Sequence, residues 1–237
     1  MPLELRQLHG WAANRGFGRG GLDEGLALHH LLAETFGPGA LQPFRLMVAP
    51  RAVQGTLYAY SDRPAEALRE TAWSVAGPTE ADVLPLDRLR SVPRPPETWR
   101  EGMRLGFDLK ARPTVRLASD LETDRQRFSK GAEMDSFLAE TLRNDRARTR
   151  EEVYLDWLAA RLAPVAALER DGTRMHGFRR KRAKRGGRSL EGPEVVFHRT
   201  LAVRDPHGFA GMLARGTGRH RAYGYGMLLL RPPQRRA

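Results

Sequence analysis

The order of helices and strands in this sequence predicts an α+β fold of tandem ferredoxin-like (RRM-like) βαββαβ units with a helical insertion. In the first half a helical pattern precedes strand patterns, and a charged helical pattern fills the middle. The chain then closes with strand, helix, glycine-rich loop and strand. It has 237 residues, of which 41% are hydrophobic, so two small units can each bury a core. We predict an N-terminal unit over residues 1–118 and a C-terminal unit over 119–237, which includes the insertion at about 120–163.

Hydrophobic periodicity places the elements of the first half, except in the Gly- and Arg-rich first twenty residues, where no element is predicted. Residues 22–36 carry apolar side chains three and four positions apart, with acids at the start and Gly37-Pro38-Gly39 at the end, which is typical of an amphipathic helix. The other predicted elements are strands at 44–49, 55–60 and 103–111, the last continued by 115–117, and a helix at 64–75.

In the second half, apolar residues at helical spacing predict two helices within 120–163 that meet near Asn144. A run dense in Arg and Lys follows at 174–188. The last predicted elements are a strand at 194–203, a helix at 206–214 that starts after Asp205, and a strand at 227–231.

Charge and composition favour a nucleic-acid ligand. Forty Lys and Arg residues oppose 28 Asp and Glu, which gives a net charge of +12, and only four of the basic residues are Lys. Because a guanidinium group binds phosphate through two parallel hydrogen bonds and also stacks on bases, an excess of Arg suits a polyanion. The alternative source of this excess is a genome rich in G and C.

The composition also excludes several classes of site. The chain contains no cysteine, which rules out disulfides, thiolate zinc sites and cysteine nucleophiles. Its histidines and scattered carboxylates show no metal-ligand spacing, so we expect neither a metal nor another cofactor. No stretch has signal-peptide character or approaches the roughly 20 apolar residues of a membrane span, so we expect a soluble, cytoplasmic protein.

The segment 216–226, with the sequence GTGRHRAYGYG, is the strongest candidate for a binding loop. Its four glycines allow positive φ and a close approach of the backbone to a ligand. It follows a predicted helix and opens a strand, the reverse of a nucleotide-binding Rossmann loop; a purely structural glycine turn is the alternative. Tyr225, like Tyr223, is a candidate to stack on a base. The candidate RNA-binding residues of the loop are Gly216, Gly218, Arg219, His220 and Tyr223.

This loop resembles that of a known family. The motif GxGxxRxxGxG between a helix and an apolar strand is similar to the C-terminal loop of the repeat-associated RNA-binding proteins of CRISPR systems, above all the CasE subfamily of precursor-CRISPR-RNA endonucleases. Weaker likenesses extend along most of the chain: LHHLL at 28–32, RPT at 112–114 and VRDPHGF at 203–209.

The resemblance implies a metal-independent endoribonuclease that cuts precursor CRISPR RNA at the repeat hairpin. It implies catalysis by His29, because attack by the RNA's own 2′-hydroxyl needs a general acid or base that titrates near neutrality. Arg221 matches a basic position of the family's loop and would stabilise phosphate charge; a plain contact to the RNA backbone is the alternative. Leu26 stands where many relatives carry Tyr, so an arginine-led site like that of the type IV counterparts is an alternative. Arg15 and Arg19 are near in sequence, and Arg19 is the catalytic candidate of the two. The hypothesis requires that the imidazole of His29 lie close to the glycine-rich loop.

The basic run at 174–188 is the second candidate interface. Glycines bracket it, and we expect it to contact the stem of the repeat hairpin through the RNA backbone. A solvated charged surface is the alternative. The RNA-binding candidates are Arg174, Arg179, Arg180, Lys181, Arg182, Lys184, Arg185 and Arg188, together with Arg15 near the N-terminus.

The implied partners are CRISPR repeat RNA and the other protein subunits of an effector complex, with no membrane partner. Two other functions stay open at this point. A non-catalytic subunit of the same fold would clamp the hairpin of the guide RNA, and the missing Tyr at position 26 favours it. A basic protein of the ribosome or of tRNA would bind hairpins without preferring the repeat.

Overall fold

The computed structural model describes residues 1–17, 22–123, 126–144, 148–169, 174–185 and 188–233. For 174, 182–185 and 188–190 it describes the backbone alone. These residues form an N-terminal sheet, a larger C-terminal sheet and two short two-stranded sheets. None of the helices in this part of the chain is both long and apolar enough to cross a bilayer.

The N-terminal half is built of strands and helices in the order βααββαα. Its elements are β1 (Pro2–Glu4), α1 (Leu5–Asn14), α2 (Glu24–Phe36), β2 (Phe44–Val48), β3 (Gln54–Ala59), α3 (Ala65–Val75) and α4 (Pro78–Val83). The three strands form an antiparallel sheet in the order β1-β3-β2. Strand β1 and helix α1 lie in the first twenty residues, where the sequence predicted nothing, and Leu8, Trp11 and Ala12 anchor α1 in the core.

Helix α2 positions the candidate histidine. The side chain of Asp23 accepts hydrogen bonds from the backbone of Gly25 (3.2 Å) and Leu26 (3.4 Å), which starts the helix two residues later than predicted. Gly37, with φ of +92°, ends it. Because the apolar stripe that includes Leu28 is buried in the N-terminal core, the neighbouring position 29 lies at the edge of that core, half-buried.

The C-terminal half contains the remaining elements. They are β4 (Arg104–Ala111), β5 (Thr114–Arg116), β6 (Leu121–Glu122), β7 (Arg127–Phe128), β8 (Glu133–Asp135), α5 (Ser136–Thr141), α6 (Arg150–Leu162), β9 (Ala166–Leu168), β10 (Arg174–Arg185), β11 (Arg188–Val203), α7 (Pro206–Arg215) and β12 (Leu228–Arg231). The large sheet has the order β10-β11-β4-β12, with β9 also paired to β11. This is the strand order of a ferredoxin-like βαββαβ unit, with α6 and α7 as its two helices. The predicted fold class is confirmed, although the N-terminal sheet has three strands among the described residues.

Alternation along β4 separates two faces of the large sheet. Phe107 and Leu109 are buried in the core beneath α6 and α7. The side chains of Asp108 and Lys110 point to the opposite face, toward the N-terminal half. Charged groups of β4 therefore lie at the junction between the two halves of the molecule.

The predicted helical insertion over 120–163 needs correction. Its first third is β structure, in which β6 pairs with β7 and β8 pairs with β5. The apolar residue Met134, which fitted a helical spacing, lies in β8 and packs in a small separate core with Leu117 and Ala139. Helices α5 and α6 do flank residue 144, but α6 packs in the main C-terminal core as the first helix of the βαββαβ unit.

Two further differences concern β4 and its surroundings. Residues 115–117 do not continue β4: Pro113 interrupts the ladder, and β5 pairs with β8 in its own sheet. Strand β4 lies before residue 118, yet it is a central strand of the C-terminal sheet. Because one hydrophobic core ends at Leu89 and the next begins at Trp99, we propose that the units divide between these residues instead of at 118.

Polar contacts join the two halves. The hydroxyl of Tyr60 donates to the backbone carbonyl of Leu228 in β12 (2.9 Å), and Arg45 in β2 donates to Asp108 in β4 (3.1 Å). Both partners of the second contact are buried, and leaving either one unpaired would cost several kcal/mol, of the order of 3–5. These contacts join β2 and the residue after β3 to β4 and β12 of the large sheet.

Candidate active site and nucleic-acid interface

The glycine-rich loop, residues 216–226, leaves α7 and leads into β12. Its four glycines and His220 have φ between +61° and +79°. Two backbone hydrogen bonds close it: Thr217 donates to the carbonyl of Gly226 (2.8 Å), and Gly226 donates to the carbonyl of Lys110 in β4 (2.8 Å). This left-handed path explains the glycines, because other residues adopt it only at a cost.

Helix α2 packs directly against this loop. A Cβ atom added to Gly25 would lie 2.5 Å from the carbonyl oxygen of Tyr223, so a residue larger than glycine cannot fit without a shift of backbone. One turn further along α2, the ring of His29 lies 5.0 Å from the ring of Tyr223 between centroids, and the ring planes meet at 56°. The structure therefore places the imidazole of His29 beside the loop. Both rings are half-buried.

The two adjacent histidines of α2 have different surroundings. The ring of His30 stacks on Phe17 with centroids 4.7 Å apart and planes 15° apart, away from the loop. Arg15, a predicted RNA contact, forms ion pairs with Glu34 (2.5 Å) and Glu80 (2.9 Å). These contacts join the end of α1 to α2 and α4, and Arg15 as an RNA contact stays a prediction from the sequence.

A carboxylate of the C-terminal half holds two of the loop's candidate side chains. Glu133 in β8 accepts a hydrogen bond from Nε of Arg219 (2.6 Å) and shares another with Nε2 of His220 (2.7 Å). The hydroxyl of Thr114 donates to the same carboxylate (3.0 Å). Burial raises the pKa of Glu133, but the hydrogen bond and charge of His220, with the bonds from Thr114 and Arg219, outweigh burial and lower it to about 2.

Two other side chains of the loop form hydrogen bonds to α7 and β11. Arg221 donates to the backbone carbonyl of Arg215 at the end of α7 (2.7 Å). Tyr225 is buried, and its hydroxyl donates to Glu194 in β11 (2.6 Å). The expectation that Tyr225 stacks on a base is therefore corrected: its ring has no free face for a ligand, whereas Tyr223 is half-buried beside His29.

Glu194 is the centre of a charged cluster that sequence patterns did not indicate. Besides Tyr225, its carboxylate pairs with Arg179 (2.5 Å) and with Lys110 (3.2 Å). Burial raises the pKa of Glu194, but the charge of Lys110 and the hydrogen bonds from Tyr225 and Arg179 lower it to about 2. The alternation of β4 was the one signal that set Lys110 apart from the buried side chains.

Asp108 forms a second cluster of this kind. Its buried carboxylate pairs with Arg45 (3.1 Å), His198 (2.7 Å) and Arg231 (2.9 Å). The ring of His198 stacks on His176 with centroids 4.2 Å apart. Burial lowers the pKa of His198 although Asp108 opposes the shift.

A cavity of about 30 Å³ lies where α2, β2, β4 and β10 meet the loop. Its lining includes Arg45, Lys110 and Lys181, with Tyr223 on the loop side. Lys181 pairs with Asp23 at the start of α2 (3.4 Å). The volume is that of one or two water molecules, so the cavity itself does not hold a nucleotide.

The basic run covers the whole of β10, which forms a long hairpin with β11. Arg179 and Arg180 have mostly exposed side chains, and Arg180 also lies 3.6 Å from Glu191. The strands place Arg174, Arg182, Lys184, Arg185 and Arg188 along this hairpin, with the backbone alone described. Arg19 lies outside the described residues. Within the residues that are described, no group of three or more His, Asp or Glu is arranged to hold a metal ion.

The fold and this site define a class of protein: tandem ferredoxin-like units in which a glycine-rich loop meets a histidine-bearing helix. The chain belongs to the CRISPR-associated protein family, whose model matches residues 4–232. Over 167 residues it is 29% identical to the CRISPR-associated endoribonuclease Cse3 of Thermus thermophilus, covering 70% of this chain and 71% of Cse3.

Solved structures share the fold. Thermus thermophilus Cse3, bound to an RNA representing a pre-cleavage complex, matches with 21% identity and a TM-score of 0.61 over 98% of this chain and 97% of its own. Cas6e of Escherichia coli K-12 matches with 18% identity and a TM-score of 0.58 over 88% and 92%. A chain of a CRISPR RNA-guided surveillance complex in the pre-nicking state matches with 17% identity and a TM-score of 0.52 over 88% and 90%.

Proposed function

We propose that this chain is an endoribonuclease that cuts CRISPR RNA at the repeat hairpin and stays bound to the mature guide in an effector complex. The observation that carries the proposal is the contact between His29 and Tyr223 of the glycine-rich loop, whose ring centroids are 5.0 Å apart. Membership of the family and the likeness to Cse3, an endoribonuclease solved with a pre-cleavage RNA, support it. The likeness to a chain of a surveillance complex supports the role as an effector subunit.

The proposed reaction is a transesterification within the RNA. The 2′-oxygen attacks the adjacent phosphorus and the bond to the 5′-oxygen breaks, which leaves a 2′,3′-cyclic phosphate and a 5′-hydroxyl. One proton leaves the 2′-oxygen and another reaches the departing 5′-oxygen, and the imidazole of His29 carries one of these transfers. The route proceeds without a metal ion.

Cations near the site would stabilise the charge on the pentavalent phosphorus. Arg221 lies two residues before Tyr223, and its contact with the carbonyl of Arg215 leaves other guanidinium N–H groups for a phosphate. We keep Arg221 in this role. Arg19 stays a prediction from the sequence alone.

The hairpin of β10 and β11 is the proposed contact for the RNA stem. Its Arg and Lys residues are spread along the twelve residues of β10, and a basic ribbon of this kind follows a phosphate backbone without reading its bases. Lys181, within β10, forms an ion pair with Asp23 at the start of α2. The stem would thus enter the site along the hairpin and end at the glycine-rich loop.

The experiment is cleavage of a labelled repeat RNA by the purified protein in EDTA. We expect cutting to continue in the chelator and to yield a 2′,3′-cyclic phosphate. His29→Ala should slow single-turnover cleavage by about 10²–10⁴-fold, which is the usual contribution of a general acid or base. His30→Ala is the matched control, since His30 stacks on Phe17, and it should cut at nearly the normal rate. Loss of cutting in EDTA contradicts the metal-free route, and full activity of His29→Ala removes His29 from the reaction.

A second candidate function is clamping of the guide hairpin without cleavage. Leu26 favours it, because no tyrosine hydroxyl is available one turn before His29 on α2. A repeat RNA with a 2′-deoxy substitution at the cut site separates the two functions. An endoribonuclease binds this RNA and does not cut it, whereas a clamp binds modified and unmodified RNA alike and cuts neither. Equal binding of repeat and scrambled hairpins would favour a ribosome- or tRNA-associated protein instead.

A further inference from the structure

The contact between Glu133 and the glycine-rich loop is an ion-pair cluster at the edge of the proposed RNA interface. Glu133 belongs to β8 and is separated by 86 residues from Arg219, yet its two carboxylate oxygens engage Arg219 and His220 at 2.6 and 2.7 Å. Both are among the loop residues that the sequence predicts to bind RNA, and Arg221 is another. In the described structure a protein carboxylate holds the side chains of Arg219 and His220.

The cluster lies near the surface. The side chain of Glu133 is 27% exposed and that of Arg219 is 40% exposed, so solvent reaches both members of the pair. A carboxylate and a phosphate accept the same charge-assisted hydrogen bonds from a guanidinium group. An incoming phosphate can therefore replace Glu133 as the acceptor for Arg219 and His220.

The loop does not depend on Glu133 alone for its shape. Its ends are closed by the Thr217–Gly226 hydrogen bond, and a Cβ atom added to Gly218 would lie 3.1 Å from the ring of Trp157 in α6. Trp157 is buried and donates to the carbonyl of Thr114 (2.9 Å). Because these contacts do not involve the carboxylate of Glu133, the loop can keep its path when that carboxylate moves away.

We propose that Glu133 occupies, in the RNA-free protein, a phosphate-binding site formed by Arg219 and His220, and that an RNA phosphate displaces it. Glu133 then competes with RNA for these two side chains, so it lowers the affinity for any RNA that places a phosphate at this point. The inference rests on the proposed function, because it takes the RNA interface to include the loop.

The test compares Glu133→Gln with Glu140→Gln in RNA-binding titrations over a range of salt concentrations. Glu140 lies in α5 and pairs with Arg148, so its variant removes an equal charge from the same region without touching the loop. The probes are a fluorescein-labelled hairpin of the repeat sequence and a hairpin of scrambled sequence. Glu133→Gln should bind the scrambled hairpin roughly three- to tenfold more tightly, and its plot of log K against log salt should steepen by about one. Glu140→Gln should bind like the wild type.

A second variant keeps the test independent of how well Glu133→Gln folds. Arg219→Ala should weaken binding and make the salt dependence shallower by about one, both alone and combined with Glu133→Gln. The inference is overturned if Glu133→Gln leaves affinity and salt slope unchanged, or if Arg219→Ala binds like the wild type. Glu133 would then be a structural residue that RNA does not displace. If the proposed function is wrong, the result differs from both of these outcomes: the wild-type protein does not prefer the repeat hairpin or does not cut it.

Discussion

Glu133 and Glu194 are two carboxylates with similar partners and different surroundings. Each accepts hydrogen bonds from an arginine and from a side chain of the glycine-rich loop, and each has its pKa lowered to about 2. The side chain of Glu194 is 4% exposed, whereas that of Glu133 is 27% exposed.

The difference indicates two uses of the same chemistry. A buried carboxylate with cations around it cannot be released without leaving those cations unpaired, so Glu194 is part of the fold. A half-exposed carboxylate can be replaced by another anion, so Glu133 can yield to a ligand. Burial, and not the number of hydrogen bonds, should therefore decide what each residue contributes to stability.

The largest expected effect is that of Glu194→Gln. Loss of the charge leaves Lys110 and Arg179 without their carboxylate partner, and the free energy of unfolding should fall by about 3 kcal/mol. Glu133→Gln is the matched variant and should cost about 1 kcal/mol or less. Urea unfolding followed by tryptophan fluorescence measures both. Equal costs would show that burial does not separate the two carboxylates.

The same pair predicts a dependence on pH. Glu194 has a pKa of about 2 in the folded protein against an ordinary value of 4.5, so its contribution is fully present above about pH 4.5 and is lost as pH falls toward 2. The difference in unfolding free energy between wild type and Glu194→Gln should shrink by about 3 kcal/mol over that range. Denaturation at a series of pH values measures it. A difference that stays constant down to pH 2 would contradict the assigned shift.

The sequence predicted the longer elements of both regions and little of their connections. Helix α2 could be predicted because its apolar spacing and its terminal residues both indicate a helix over the same range. The loop could be predicted because several glycines close together indicate backbone with positive φ. Strand β1, with three residues, is too short to carry a pattern. The division predicted at residue 118 did not anticipate that β4 pairs with β11 and β12, whose residues follow their partners in β4 by 84 to 125 positions.

The candidate site shows the same limit. The position of His29 beside the loop follows from the fold as a whole. The motifs predicted that His29 and the loop are functional, and the contact between them was required by the hypothesis but not shown by the sequence. Glu133 and Glu194 lie in segments without a motif. Glu133 is 86 and 87 residues from its partners in the loop, and Glu194 is 31 residues from Tyr225. Only a three-dimensional arrangement assigns a carboxylate to a given arginine when forty basic residues are available.

The hydroxyl of Tyr225 tests how firmly Glu194 holds the loop. Tyr225→Phe removes a hydrogen bond to a buried charge and should lower the free energy of unfolding by about 2 kcal/mol. Tyr58→Phe is the control, because Tyr58 is 40% exposed, and it should change stability by less than about 0.5 kcal/mol. The two variants unfolding at the same urea concentration would speak against a role of Tyr225 as an anchor.

The smallest expected effect concerns the side of the loop near Glu133. Gly218 has φ of +78° and a Cβ atom there would lie 3.1 Å from Trp157, so Gly218→Ala should cost about 1 kcal/mol. Gly10 lies inside helix α1, and a Cβ atom there would meet nothing within 4 Å; Gly10→Ala should instead stabilise by about 0.5–1 kcal/mol. Opposite signs in urea unfolding are the expected result. A neutral Gly218→Ala would mean that the loop adapts freely on this side, and the Glu133 contact would then be its main restraint there.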